Sequence, residues 1–155
     1  MSGADIAAKS RYFDDYSVGD VFEFGDYKVE KSELIAFAEA YDPQPFHIDE
    51  NAAKETHFGG LITSGWHTCS MVMRLMVDHY VSEVAGLGSP GVDEIRWIVP
   101  VRPGDSLRVR VKVVETRASK SKPDRGIVRS EFEVFNQHDE IVMTMKSVGM
   151  MKRRP

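Results

Sequence analysis

Between Leu107 and Val113 apolar and cationic residues alternate one for one, Leu107-Arg108-Val109-Arg110-Val111-Lys112-Val113, the period of a strand with one buried and one wet face. A shorter alternation, Asp20-Val21-Phe22-Glu23-Phe24, predicts a strand near the N-terminus, and Ile95, Trp97 and Val99 predict another. Two further strands are expected over Ile127 to Phe135 and Ile141 to Met151, separated by the turn Asn136-Gln137-His138-Asp139. The helical period appears between these blocks. Ser32 is placed to cap a helix that carries Leu34, Ile35, Phe37 and Ala38 on one face, and Pro43 ends it. Asp49 can cap a short helix over Glu50 to Glu55, and Phe58-Gly59-Gly60 marks a turn. From about Thr63 to Val84 there is no proline and no glycine after Gly65. The run Met71, Val72, Leu75, Met76, Val77, Tyr80, Val81, Val84 predicts a long, largely buried helix. Breakers from Gly86 to Gly91, Pro100 to Asp105 and Ser119 to Gly126 separate the later strands.

The predicted order is strand, helix, short helix, long helix, then four strands. A long apolar helix needs an apolar surface, and an antiparallel sheet curled around it provides one, so the expected class is α+β with the sheet wrapped around a central helix. The chain is expected to form a single domain over residues 1–155 with a polar leader at 1–17. Exposed sheet edges invite aggregation, so a second copy is expected to cover one, giving a homodimer or a higher homo-oligomer.

Composition narrows the partners. With 155 residues, 42% hydrophobic and 28% charged, the chain has the make-up of one soluble domain. A formal charge of −4 gives no global attraction for nucleic acid, and Lys152-Arg153-Arg154 reads as a solvated tail. No apolar stretch is long enough to span a bilayer and the first residues lack a signal-peptide core, so neither membrane association nor export is expected and the default location is the cytoplasm. The lone Cys69 cannot form an internal disulfide.

Candidate chemistry lies in Tyr41-Asp42-Pro43-Gln44-Pro45-Phe46-His47-Ile48-Asp49. Proline disfavours helical geometry in the residue before it, so Asp42 and Gln44 should be extended. The stretch then holds a carboxylate and an imidazole on a stiff segment. Two readings stand open: an acid–base pair, or a helix-capping aspartate beside a packed histidine. His57, His67, His79 and His138 are scattered and there is no second cysteine, so no metal site is expected.

With this element order, Asp42-Pro43-Gln44-Pro45-Phe46-His47-Ile48-Asp49 resembles the hydratase motif of the MaoC-like family of enoyl-CoA hydratases and dehydratases, which have the hot-dog fold. Ala52-Ala53, Gly60-Leu61-Ile62-Thr63-Ser64-Gly65 and the stretch from Arg96 to Asp105 extend the resemblance over about Val21 to Met151. It implies (R)-specific hydration of a 2-enoyl thioester, or the reverse dehydration, on coenzyme A or an acyl carrier, with no cofactor. Asp42 and His47 match the catalytic acid and base that hold the water, and Gly65 matches the glycine whose N–H binds the thioester carbonyl. The chain departs from the family at Gln44, where asparagine is usual, at Ser64, where histidine is frequent, and at Met73, where some members have serine; Ser70 lies one turn away.

The chemistry suits these residue types. Histidine titrates near neutrality, a partly desolvated aspartate can be raised toward it, and a helix start presents free N–H groups to an enolate oxygen. Ser64 and Trp66 flank Gly65 and, with Tyr41 and Phe46, are expected either to wall the substrate pocket or to serve as a cap and core aromatics. Arg117, Lys120, Lys122 and Arg125 form either a solvated turn or a contact for phosphates. Two other functions remain open on sequence. A hot-dog thioesterase commonly uses an acid on the central helix, and there is none between Thr63 and Val77. The other is a non-catalytic acyl-thioester binding domain.

Overall fold

The computed structural model describes residues 5–155. Five strands, β1 (Val21–Lys28), β2 (Gly91–Trp97), β3 (Ser106–Ala118), β4 (Arg125–Phe135) and β5 (Ile141–Lys152), form one sheet in the order β1-β3-β4-β5-β2. Every pairing is antiparallel. Four helices, α1 (Lys31–Tyr41), α2 (Pro45–Ile48), α3 (Glu50–Lys54) and α4 (Gly65–His79), lie between β1 and β2 in the chain.

The alternation in β3 is realised as expected. Leu107, Val109, Val111 and Val113 are buried, with Val109 opposite Val134 and Val111 opposite Phe132, and they share one core with Met71, Val72 and Leu75 of α4. Each such side chain contributes roughly 1.5–3 kcal/mol on full burial, so this seam fixes α4 against the sheet. The opposite face carries Arg110 within ion-pair range of Glu23 and Glu133, an exposed pairing of small energetic weight.

Element ends differ from the sequence expectation for local reasons. Helix α1 begins at Lys31 after Glu30, so Ser32 sits in the first turn and does not cap it. The segment after Pro43 is not a plain loop. Pro45 opens the short helix α2 at its first position, where a missing N–H costs nothing. Asp49 caps α3 as expected, accepting from the Asn51 and Ala52 amides. Helix α4 stops at His79, where the Tyr80 ring turns into the core among Tyr16, Phe22, Phe24 and Phe132. Nor is α4 buried all round: Trp66, Met73 and Val77 are exposed. Strand β2 ends at Trp97, because the amides of Ile98 and Val99 both turn onto the Val142 carbonyl.

Of the leader expected at 1–17, residues 1–4 lie outside the described residues. Arg11, Phe13 and Tyr16 are buried. Phe13 occupies the space that Gly126 leaves on β4: a Cβ there would lie 2.4 Å from its ring.

Candidate active site

Three backbone turns bring the site together. Helix α1 ends at Asp42, whose φ of −152° and ψ of 66° leave the helix while its N–H still bonds the Ala38 carbonyl. Gln44 is extended, as the prolines require, and α2 carries His47 back beneath Asp42. The segment 61–64, buried throughout, is pinned by Ile62 N–H to the Phe46 carbonyl and Thr63 N–H to the Val101 carbonyl, and delivers Ser64 and Gly65 to the start of α4.

The result is a compact polar cluster. His47 Nδ1 lies 2.8 Å from the Ile62 carbonyl. A carbonyl only accepts, so Nδ1 holds a proton and Nε2 is the nitrogen that exchanges one. Nε2 lies 3.3 Å from Asp42 Oδ2. Ser64 Oγ donates to the same Oδ2 at 2.7 Å, and Gln44 Nε2 donates to Oδ1 at 2.7 Å. Burial pushes the Asp42 carboxyl up, but the hydrogen bonds from Gln44 and Ser64 and the neighbouring His47 outweigh it and hold the carboxyl below its ordinary value. This reverses the expectation of an aspartate raised toward neutrality: the donors around it matter more than its partial desolvation.

Gly65 opens α4, whose first backbone bonds are those from His67 and Thr68 N–H to the Ser64 carbonyl. The Gly65 and Trp66 amides precede them, as the first amides of any helix do. The space a side chain would occupy at Gly65 is filled by Trp97: a Cβ would lie 2.4 Å from Cε2 of the indole, whose Nε1 donates to the Gly65 carbonyl at 3.1 Å. Here glycine admits an aromatic ring of the protein itself.

A cavity of about 470 Å³ opens over these groups, lined by Asp42, His47, Gly65, Trp66 and Trp97 among others. Asp42, His47, Gly65 and Trp66 therefore meet as expected. Phe46 packs edge-on against His47 and, at a tilt, against Phe58, and it does not line the cavity. Ser64 is fully buried and turned to Asp42. Tyr41 lies elsewhere, exposed beside Phe37 on the outer side of α1 and α4. Trp97 and Thr68 line the cavity without having been singled out; only contact across the fold reveals them. The basic turn after β3 lies at the far end of that strand from the Val101–Asp105 turn, with Arg117 facing Glu115 and Arg125 facing Asp124.

The family model of the MaoC-like domain matches residues 15–134. The chain belongs to this family. A crystal structure of the MaoC-like dehydratase from Rhodospirillum rubrum is 40% identical and superposes with a TM-score of 0.88 over 94% of this chain and 99% of that one. The 3-hydroxybutyryl-CoA dehydratase of Methylorubrum extorquens is 30% identical over 106 residues, 67% of this chain and 64% of that enzyme. A double hot-dog protein of Mycobacterium tuberculosis, 20% identical, shares the fold with a TM-score of 0.81 over 97% of this chain and 46% of its own. The sheet wrapped around α4 is thus the hot-dog fold of MaoC-like dehydratases. No helix among the described residues is long and apolar enough to cross a membrane.

Proposed function

We propose that this MaoC-like domain is an (R)-specific 2-enoyl-thioester hydratase and 3-hydroxyacyl-thioester dehydratase, acting on coenzyme A or acyl-carrier thioesters in the cytoplasm as a homodimer. The observation that carries the reading is the convergence of Asp42, His47 and Gly65, the first residue of α4, on one cavity. The relative in Methylorubrum extorquens, a 3-hydroxybutyryl-CoA dehydratase by name, agrees with it.

In hydration, a water held between Asp42 and His47 gives a proton to His47 Nε2 as its oxygen bonds the β-carbon. The displaced π electrons move onto the thioester oxygen, where the Gly65 N–H at the positive end of α4 receives the charge. The imidazolium, steadied by ionised Asp42, then returns the proton to the α-carbon. One water is added, and dehydration reverses each transfer. The Ile62 carbonyl holds Nδ1–H throughout, so Nε2 stays the exchanging nitrogen.

The test follows loss of the conjugated absorbance of crotonyl-CoA and longer 2-enoyl-CoAs, with free thiol measured in parallel and product configuration assigned. Saturable hydration to the 3R product is expected, lowered roughly 10²–10⁴-fold in Asp42→Asn and in His47→Ala. Thiol release without hydration would replace the reading with a thioesterase, and binding with neither reaction would replace it with a non-catalytic domain.

A further inference from the structure

Ser64 holds the N-cap position of α4, where serine ordinarily turns its hydroxyl back to the helix amides. It does not do so here: no side-chain cap bond forms, and the hydroxyl donates to Asp42 Oδ2 at 2.7 Å from a residue with no solvent exposure. Its backbone serves the helix instead, the carbonyl accepting from His67 and Thr68 at 3.0 and 3.1 Å. That carbonyl and the Gly65 N–H belong to one planar peptide unit. A single residue is thus bonded to the acid through its side chain and to the oxyanion amide through its peptide. Gln44 completes the arrangement from the other side, its amide 2.7 Å from Oδ1.

We infer that Ser64 is a positioning residue that, with Gln44, clamps both oxygens of Asp42 and fixes the carboxylate relative to the Gly65 amide. Ser64 is then not a substrate contact, and Gln44 is not a neutral departure from the usual asparagine. The inference rests on the hydratase reading for its kinetic consequence alone; the clamp itself is a property of the folded chain. Two charge-assisted bonds favour the ionised carboxyl, and with His47 Nε2 as the only titratable nitrogen against Oδ2 among the described residues, the Asp42 carboxyl is held below its ordinary value.

The test combines a carboxyl titration with kinetics. The Asp42 carboxyl carbon, followed by ¹³C NMR across acid pH, should titrate upward in Ser64→Ala and in Gln44→Met. Ser64→Thr, which keeps the hydroxyl, should return it toward the wild-type position. With crotonyl-CoA, kcat should fall roughly 10- to 100-fold in Ser64→Ala while KM stays within about twofold, with recovery in Ser64→Thr. An Asp42 titration unchanged in both Ser64→Ala and Gln44→Met overturns the clamp. So does a raised KM at unchanged kcat, which would make Ser64 a substrate contact. Should Ser64→Ala fail to fold, the Gln44→Met and Ser64→Thr titrations decide. Should the wild-type protein hydrate no enoyl thioester, the proposed function fails, and the titration arm still decides the clamp.

Discussion

A side chain at position 65 has nowhere to go, because the Trp97 indole already fills the space. Gly65→Ala should therefore destabilise the fold by roughly 1–3 kcal/mol through overpacking, and should disturb the amide proposed to meet the thioester oxygen. Pairing it with Trp97→Ala separates the two effects. In urea unfolding, the double variant should cost less than the sum of the singles, because the clash is gone. His67 makes a second case. Its ring is buried and stacks on Phe37 at 4.6 Å, Nε2 lies 3.5 Å from Glu33 Oε1, and Nδ1 has no hydrogen-bond partner among the described residues. Burial lowers its pKa from 6.5 and outweighs the pull of Glu33 upward. Between the lowered value and 6.5 the unfolded chain binds more protons, so stability is full above 6.5 and declines as pH falls through the lowered folded value. Urea midpoints measured from pH 7.5 down to 5 should show this decline, and His67→Gln should flatten it; equal slopes in both proteins would remove His67 as its source. The sequence puts His67 two residues after Gly65 but cannot show what it stacks on, since Phe37 arrives from another helix.

Farther along α4 from the cavity over Asp42 and His47 lies a second one. About 12 Å from Gly65 at 1.5 Å rise per residue, Met73 begins the lining of a cavity of about 310 Å³, continued by Met76, Val77, Tyr80 and, across the sheet, Met145 and Phe132. Its walls are apolar and rich in methionine, a side chain that adapts to the shape of its neighbour. The sulfurs of Cys69 and Met143 lie 3.9 Å apart, and Trp97, which lines the first cavity, pairs with Met143 across β2 and β5. If the acyl tail of the proposed substrate runs along α4, a short enoyl chain held at Asp42 and His47 ends before Met73 and only a longer tail reaches it. Filling the cavity with Met76→Trp should lower kcat/KM for 2-decenoyl-CoA roughly tenfold or more and leave crotonyl-CoA nearly unchanged. Unchanged kcat/KM on both substrates would show that the tail runs elsewhere. Strands are the elements the sequence reports best. The alternation of β3 survives because one face is packed and the other is wet, whereas the limits of α4 blur because Val77, Val81 and Val84 stay apolar beyond or outside the packed side. Helix α2 hides for the opposite reason: four residues opened by Pro45 give no period to read. Ser64 looks like a cap by sequence, and only the meeting of the ends of α1 and α4 turns its hydroxyl toward Asp42.

The unpaired edge of β2 and the open side of α4 lie on the same part of the molecule. Trp66, Met73 and Val77 on the helix and Val92, Trp97 and Ile98 along the strand and just after it are all exposed, and Trp66 and Trp97 touch at 5.4 Å in an edge-on pair. Large exposed apolar residues grouped beside a free strand edge mark an association surface, and a sheet edge left bare would invite uncontrolled pairing. The other edge, β1, shows less of this, with Glu23 and Arg110 facing one another at its border with β3. A second copy laid against β2 would cover both tryptophans, which line the cavity over Asp42 and His47, so under the proposed function activity and assembly should be coupled. Light scattering at micromolar concentration should give twice the chain mass. Val92→Asp places a charge at the β2 edge away from Asp42, His47 and Gly65. It should weaken association by at least about 2 kcal/mol if it falls at a central contact, and hydration should decline in step with the dimer fraction. A protein that is monomeric at that concentration yet fully active would show that one chain completes its own site and that the apolar strip serves another partner.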